Sequence, residues 1–167
     1  MVILRILHIV GGVFWVGAVL VSVLFLFKVV TDLGPLGGQM MGAFIKHRFF
    51  DAIPAAALVT ILTGLDLFRR VSAGFDSAWM GSGRGITLSI GALAGLIAFV
   101  VGIFIGRPAS MKAFALMERA GPMPDGPEKA ALIAEAAPLR ARGMGALRLA
   151  AALLVVATIG MAAAQYV

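Results

Sequence analysis

Four long apolar runs constrain the fold of this chain more than any other feature. They cover roughly residues 2–30, 52–68, 86–106 and 144–167. Crossing the hydrocarbon core of a bilayer takes about 20 apolar residues of helix. The runs lack the alternation typical of strands, and backbone polar groups in lipid must pair within their own segment. The sequence therefore predicts an all-α polytopic membrane protein, a single domain built as an antiparallel bundle of four transmembrane helices.

The positive charges predict how this bundle sits in the membrane. The chain has a net charge of +6, but its basic residues cluster between the apolar runs, which indicates membrane topology rather than nucleic-acid binding. Most of them flank the first and third loops: Lys28, Lys46, Arg48, Arg107, Lys112, Arg119, Lys129, Arg140, Arg142 and Arg148. The positive-inside rule predicts that these loops are cytoplasmic and that both termini lie outside. The first run is too long for a signal peptide, so we expect it to be retained.

The loops also contain sequence patterns that predict local structure. Residues 34–42, "GPLGGQMMG", predict a flexible turn, and Asp51 is placed to cap the second helix. Residues 107–120 and 128–143 have helical patterns on either side of "GPMPDGP", with Pro127 in the position of a first helical residue. We expect the third and fourth helices to extend into a cytoplasmic hairpin over residues 107–143, either as a simple connection or as a docking surface for a partner.

Small residues recur at helical spacing on the predicted spans. The third span contains two G-x-x-x-G pairs, Gly91 with Gly95 and Gly102 with Gly106, and the fourth repeats glycine and alanine from Gly143 onward. Small residues let transmembrane helices approach closely. These faces predict close packing in the bundle, with crossing angles of about +20°. They also provide candidate contacts for a homo-oligomer or a membrane-protein partner.

Intramembrane polar residues concentrate at the predicted outer end of the bundle. His8 shares a small-residue face of the first span with Gly11 and Trp15, and Asp66 lies at similar depth on the second. Thr63 and Gln165 complete this polar cluster. Ionisable groups inside a membrane are costly and are usually paired or functional.

Haem b is the first interpretation of this cluster, because neutral imidazole is a standard axial ligand of haem iron. Gly11 and Gly12 would then leave room for the porphyrin, and Trp15 would pack against its edge. The remaining candidate groups are Arg5 and Arg84 for the propionates and Met161 as a second ligand.

Two other interpretations remain open at the level of the sequence. His8 and the methionines at its depth, Met1, Met80 and Met161, form a candidate copper site, since thioethers suit Cu(I). Alternatively, His8 and Asp66 form a structural polar pair in a non-enzymatic membrane module, such as an accessory subunit. The spans contain no nucleophile–base–acid constellation and no phosphate-binding loop, which argues against hydrolytic chemistry. The absence of cysteine excludes disulfides and thiolate metal sites.

The first span also resembles a known signature. "LHIVGGVFWVG" is similar to the L-H-x(6)-W-x-G motif of a bacterial superfamily of small four-helix integral membrane proteins, with matches at Leu7, His8, Trp15 and Gly17. This superfamily includes the HemJ-type protoporphyrinogen oxidases, the copper-resistance protein D family and several uncharacterised branches. "GIFIGRPA" at residues 102–109 resembles the uncharacterised branches most. The resemblance implies a bacterial inner-membrane protein.

In the HemJ-type proteins the equivalent of His8 is regarded as a b-haem ligand, partnered by a lysine of the third helix. This chain has no lysine in its third span, where "GSGRGITLSIG" carries Arg84 instead. Arginine stays protonated and cannot take the place of a neutral amine on iron. The resemblance therefore adds support for His8 as a candidate haem ligand, but it does not imply the HemJ-type reaction, and the uncharacterised branches supply no activity.

Overall fold

The computed structural model describes residues 1–167 and contains only helices and their connections. The helices, in chain order, are α1 (Val2–Asp32), α2 (Pro35–Lys46), α3 (Phe49–Val71), α4 (Ser77–Met80), α5 (Gly83–Ala120) and α6 (Pro127–Ala163). Four of them, α1, α3, α5 and α6, are long and apolar enough to cross a membrane. The prediction of an all-α protein with four candidate membrane spans is confirmed.

The long helices pack as two antiparallel pairs that share one core. α1 lies along α3, and α5 lies along α6. Trp15 of α1 and Leu154 of α6 are buried at the centre, among the small side chains of Ala57, Ala98 and Ala150. The bundle therefore has two distinct ends. The terminal end carries the first residues of α1 and the last residues of α6, and the α2 end carries α2.

Glycines bring α5 and α6 into close contact. A Cβ atom on Gly160 would lie 3.1 Å from the Cα atom of Gly91 and 3.1 Å from the carbonyl oxygen of Thr87. Further along, a Cβ on Gly106 would touch Ala146 at 3.4 Å. The small-residue faces of the two helices thus cover each other within one chain. Gly91 and Gly160 are buried there, so these two positions do not offer an open face to a partner.

α5 and α6 continue to pack against each other beyond their most apolar parts. Ala109, Ala113 and Leu116 of α5 are buried, as is Ala136 of α6. α6 begins at Pro127 directly after Gly126, as the sequence predicts. The position of this paired segment relative to the membrane remains a prediction.

Two local expectations are wrong. Residues 34–42 are not a flexible turn, because α2 begins at Pro35, after Gly34 with φ of 55°. Asp51 does not cap the second long helix, because α3 already begins at Phe49 and Asp51 lies in its first turn. Asp51 instead forms an ion pair with Arg107 of α5. A partner 56 residues away in the sequence is not visible to a local capping rule.

Both α1 and α5 widen into a short π-helical segment, at Ser22–Leu26 and Val101–Gly106. Pro108 follows the second segment and lacks an N–H to donate to the preceding turn, which favours a wider turn there. Ser22 and Gly102, from the two segments, line an apolar cavity of about 130 Å³ between the helices.

Candidate functional site

His8 is anchored to the neighbouring helix by its ring. Its Nδ1 atom lies 2.8 Å from the backbone carbonyl oxygen of Thr60 on α3. A carbonyl can only accept a hydrogen bond, so Nδ1 carries the proton and donates it. In the neutral ring the Nε2 atom then keeps its lone pair. His8 is half-buried at the terminal end of the bundle.

Gly64 makes the space that this imidazole occupies. A Cβ atom on Gly64 would lie 2.7 Å from Cε1 of His8 and 3.0 Å from Nδ1. The ring therefore packs directly against the backbone of α3, one turn beyond Thr60. Sequence reasoning did not assign Gly64 or the Thr60 carbonyl to the site. In the sequence, only the spacing of Thr60 and Gly64, four residues apart on a helix expected to face His8, indicates these two groups.

Gly11 and Gly12 both lie against the side chain of Thr60 on α3. A Cβ on Gly11 would lie 2.7 Å from Oγ1 of Thr60, and one on Gly12 would lie 3.6 Å from Cγ2 of the same residue. The threonine side chain fills the space beside Gly11 and makes ordinary contact beside Gly12. In this structure Gly11 allows the close approach of α1 and α3, and the expected clearance for a porphyrin stays a prediction.

Trp15 belongs to the core rather than to the surroundings of His8. It lies two helical turns further along α1 and is 6% exposed. Its ring meets Phe99 of α5 edge to face, with centroids 6.4 Å apart. Trp15 therefore packs at the centre of the bundle, and its expected contact with a cofactor edge stays a prediction.

Asp66 and His8 do not pair. The carboxylate of Asp66 accepts hydrogen bonds from Arg69 at 3.1 Å and from Arg70 at 2.8 Å, both on its own helix. The hypothesis of a His8–Asp66 polar pair is corrected accordingly. The physical reason is proximity, because residues three and four positions apart share a helix face.

Thr63 is the member of the predicted polar cluster that remains close to the His8 anchor. Its hydroxyl donates to the carbonyl of Val59 at 2.6 Å and approaches the carbonyl of Thr60 at 3.1 Å. The Thr60 carbonyl is thus approached by two donors, one of them His8. Gln165 lies beyond the end of α6 and is exposed.

The remaining candidates lie at the terminal end without a shared centre. Arg5 and Arg84 are exposed, and neither makes a salt bridge. Met161 is 42% exposed, and its backbone nitrogen lies beside Gly91 on α5. The structure shows no group of three or more histidine or acidic side chains that would hold a metal ion.

Comparison of the chain with protein-family models, curated proteins and solved structures finds no match.

Proposed function

We propose that this protein is a membrane-embedded redox protein that binds b-type haem, with Nε2 of His8 as an axial ligand. The hydrogen bond from Nδ1 to the Thr60 carbonyl carries the proposal. Histidines that bind metals commonly donate their other ring N–H to a carbonyl or carboxylate. That bond fixes the tautomer, orients the ring and raises the basicity of the ligating nitrogen.

The other residues fit this cofactor unequally. Arg5 and Arg84, both without an ion-pair partner, supply positive charge at the same end for two propionates. Met161 and Gly11 fit less well, since the first is exposed beside α5 and the second is covered by Thr60. The proposal therefore assigns one protein ligand, His8. When bound, haem would supply one-electron redox chemistry, while α3 orients the imidazole.

The proposal includes a placement in the membrane. The basic residues concentrate towards the α2 end and the segments of α5 and α6 that extend from it, so that end faces the cytoplasm under the positive-inside rule. The terminal end, with His8, then faces outward in a bacterial inner membrane, and residues 107–143 project into the cytoplasm as a hairpin. Accessibility of single cysteines introduced at Gln165 and at Gly121 tests this orientation in intact cells, with labelling expected only at Gln165.

An absorption spectrum tests haem binding. The full chain, produced in haem-replete cells and purified in mild detergent, should show a Soret band with about one haem per chain. His8→Ala should remove the band. His47→Ala is the matched control, because His47 is the other histidine and lies exposed just after α2. A colourless wild-type protein, or equal absorbance in both variants, would contradict the proposal.

A second pair of variants tests the role of the Thr60 carbonyl. Gly64→Ala places a methyl group 2.7 Å from Cε1 of His8 and should displace the ring from its hydrogen bond. We expect a shifted or weakened Soret band. Gly17→Ala on α1 adds a methyl group that meets no atom within 4 Å, so its spectrum should match wild type. Identical spectra for the two variants would show that the carbonyl does not orient a ligand.

A non-enzymatic membrane module is the second candidate, because the His8–Thr60 bond also ties α1 to α3 without any cofactor. In that case the protein would be colourless, and His8→Ala would lower its thermal stability, because it removes the donor of this hydrogen bond. If the protein handles copper instead, the purified protein should contain stoichiometric copper and no haem. An accessory subunit would be retained on its partner through residues 107–143, and deletion of residues 118–130 should release it.

A further inference from the structure

An apolar cavity of about 480 Å³ opens at the α2 end of the bundle, away from His8. It lies between the last turns of α1, the helix α2 and the parts of α5 and α6 just beyond their most apolar stretches. Its volume falls within the range of about 300–1,000 Å³ typical of sites for small molecules. The side chains that line it determine which ligand it can hold.

Methionine is the most distinctive component of this lining. Four methionines from three helices contribute to it, namely Met41, Met111, Met117 and Met144. The methionine side chain is unbranched and flexible, so it adapts its packing to apolar partners of irregular shape. The sequence places these residues on the opposite side from His8, and neither the haem nor the copper interpretation uses them. Their common position around one cavity suits a flexible hydrocarbon chain.

Arg140 is the single charged residue of the lining. It is exposed and makes no salt bridge, whereas Lys112 of α5 is paired with Glu135 of α6. No acidic side chain lines the cavity. An apolar cavity with one unpaired guanidinium is complementary to a ligand with a hydrocarbon chain and one anionic group. Guanidinium binds a carboxylate through two parallel hydrogen bonds.

We propose that this cavity binds a single-chain anionic amphiphile of the long-chain fatty acid class. The hydrocarbon chain lies among the methionines, and the carboxylate pairs with Arg140. A lipid environment already solvates hydrocarbon as well as a protein cavity does. Selectivity over the surrounding lipid therefore comes from the charge at Arg140 and from the shape of the cavity. This site is independent of haem binding at His8.

Photolabelling of the full chain tests the site. The probe is palmitate carrying a diazirine in its chain, added to the protein in nanodiscs of phosphatidylcholine. Peptide mapping should place the label on α2 and on residues 110–117 of α5. Unlabelled palmitate should compete, whereas hexadecanol, which has the same chain without the charge, should compete at least tenfold less well. Equal competition by both, or label confined to the outer faces of α1 and α3, would overturn the proposal.

Two matched pairs of variants separate charge from shape. Arg140→Gln should reduce labelling about tenfold, because a charge-assisted pair is lost, and Arg142→Gln on the same helix should not. Gly38 lines the cavity, and a Cβ there meets no atom within 4 Å, so Gly38→Leu extends into the cavity without a clash at its first atom. Gly42 has equal freedom but does not line the cavity.

Gly38→Leu should therefore abolish labelling, and Gly42→Leu should leave it unchanged. The two variants of each pair are compared only if their thermal stabilities, measured without palmitate, are equal. Mapping of the label on the wild-type protein does not depend on any variant. Equal labelling of Gly38→Leu and Gly42→Leu would overturn the proposed cavity, and equal labelling of Arg140→Gln and wild type would overturn the role of the charge.

Discussion

Replacement of Gly160 by alanine tests whether direct backbone contact joins α5 to α6. The added Cβ would lie 3.1 Å from the Cα atom of Gly91, 3.1 Å from the carbonyl oxygen of Thr87 and 3.3 Å from the nitrogen of Gly91. Carbon atoms in good contact are about 3.5–4.0 Å apart. All three neighbours are backbone atoms of another helix, so no side chain can rotate away. The two helices must separate by a few tenths of an ångström.

Separation of the two helices lowers the free energy of unfolding. Overpacking a well-packed interior costs about 1–3 kcal/mol. Alanine recovers part of that cost, because glycine inside a helix is less favourable by about 0.5–1 kcal/mol. We expect Gly160→Ala to lower the free energy of unfolding by about 1–2 kcal/mol. For a chain of this size, a loss of 1 kcal/mol lowers Tm by about 2–4 °C.

Thermal unfolding in one detergent, followed by intrinsic fluorescence, measures this effect. Gly145→Ala is the matched control, because Gly145 lies on the same helix and a Cβ there meets no atom within 4 Å. The control should be at least as stable as wild type, since it gains only helix propensity. If Gly160→Ala were as stable as Gly145→Ala, close backbone contact between α5 and α6 would be refuted.

Three further predictions concern the α2 end and the loop between α5 and α6. Because the Arg107 and Asp51 side chains are 38% and 54% exposed, a double-mutant cycle with Arg107→Gln and Asp51→Asn should give a coupling of only about 0–1 kcal/mol, reduced by salt. The hydrogen bond from Lys129 holds the pKa of the Asp125 carboxyl below its usual value, so the pairing is present at neutral pH and is lost as pH falls through that lowered pKa. A carboxyl titration followed by NMR should show the pKa of Asp125 rise in Lys129→Gln, and an unchanged pKa would contradict the pairing. Gly37→Ala should lower Tm by several degrees, because its Cβ would overlap a backbone carbonyl of α1 and displace α2; a Tm equal to that of wild type would argue against this close contact.

The contacts of His8 show how much of the candidate site could be predicted from the sequence. Helical periodicity predicts that His8 lies on the same face as Gly11 and Trp15. It does not predict which atoms meet that face. The hydrogen bond from Nδ1 goes to the main-chain carbonyl of Thr60. Every residue has such a carbonyl, so the sequence does not show which one accepts the bond. Asp66 was the visible candidate partner, but arginines on its own helix are closer.

The glycines show the same limit of what the sequence can predict. The sequence shows that small residues recur at helical spacing, and this predicts close contacts without naming the partner. Only the structure shows that Thr60 fills the space beside Gly11, that His8 fills the space beside Gly64, and that Gly91 meets Gly160. The missing Cβ atom creates space, and the arrangement of the other helices decides what occupies it.

The sequence by itself determined the helical class and the four candidate membrane spans, because these depend on runs of apolar residues that need no partner. It also determined the start of α6 at Pro127, since that signal is local. Tertiary structure decided the rest. The anchor of His8, the pairing of Asp51 with Arg107 and the methionine-lined cavity each join segments that lie far apart in the chain. Such contacts depend on how the helices pack, and hydrophobic periodicity does not specify that packing.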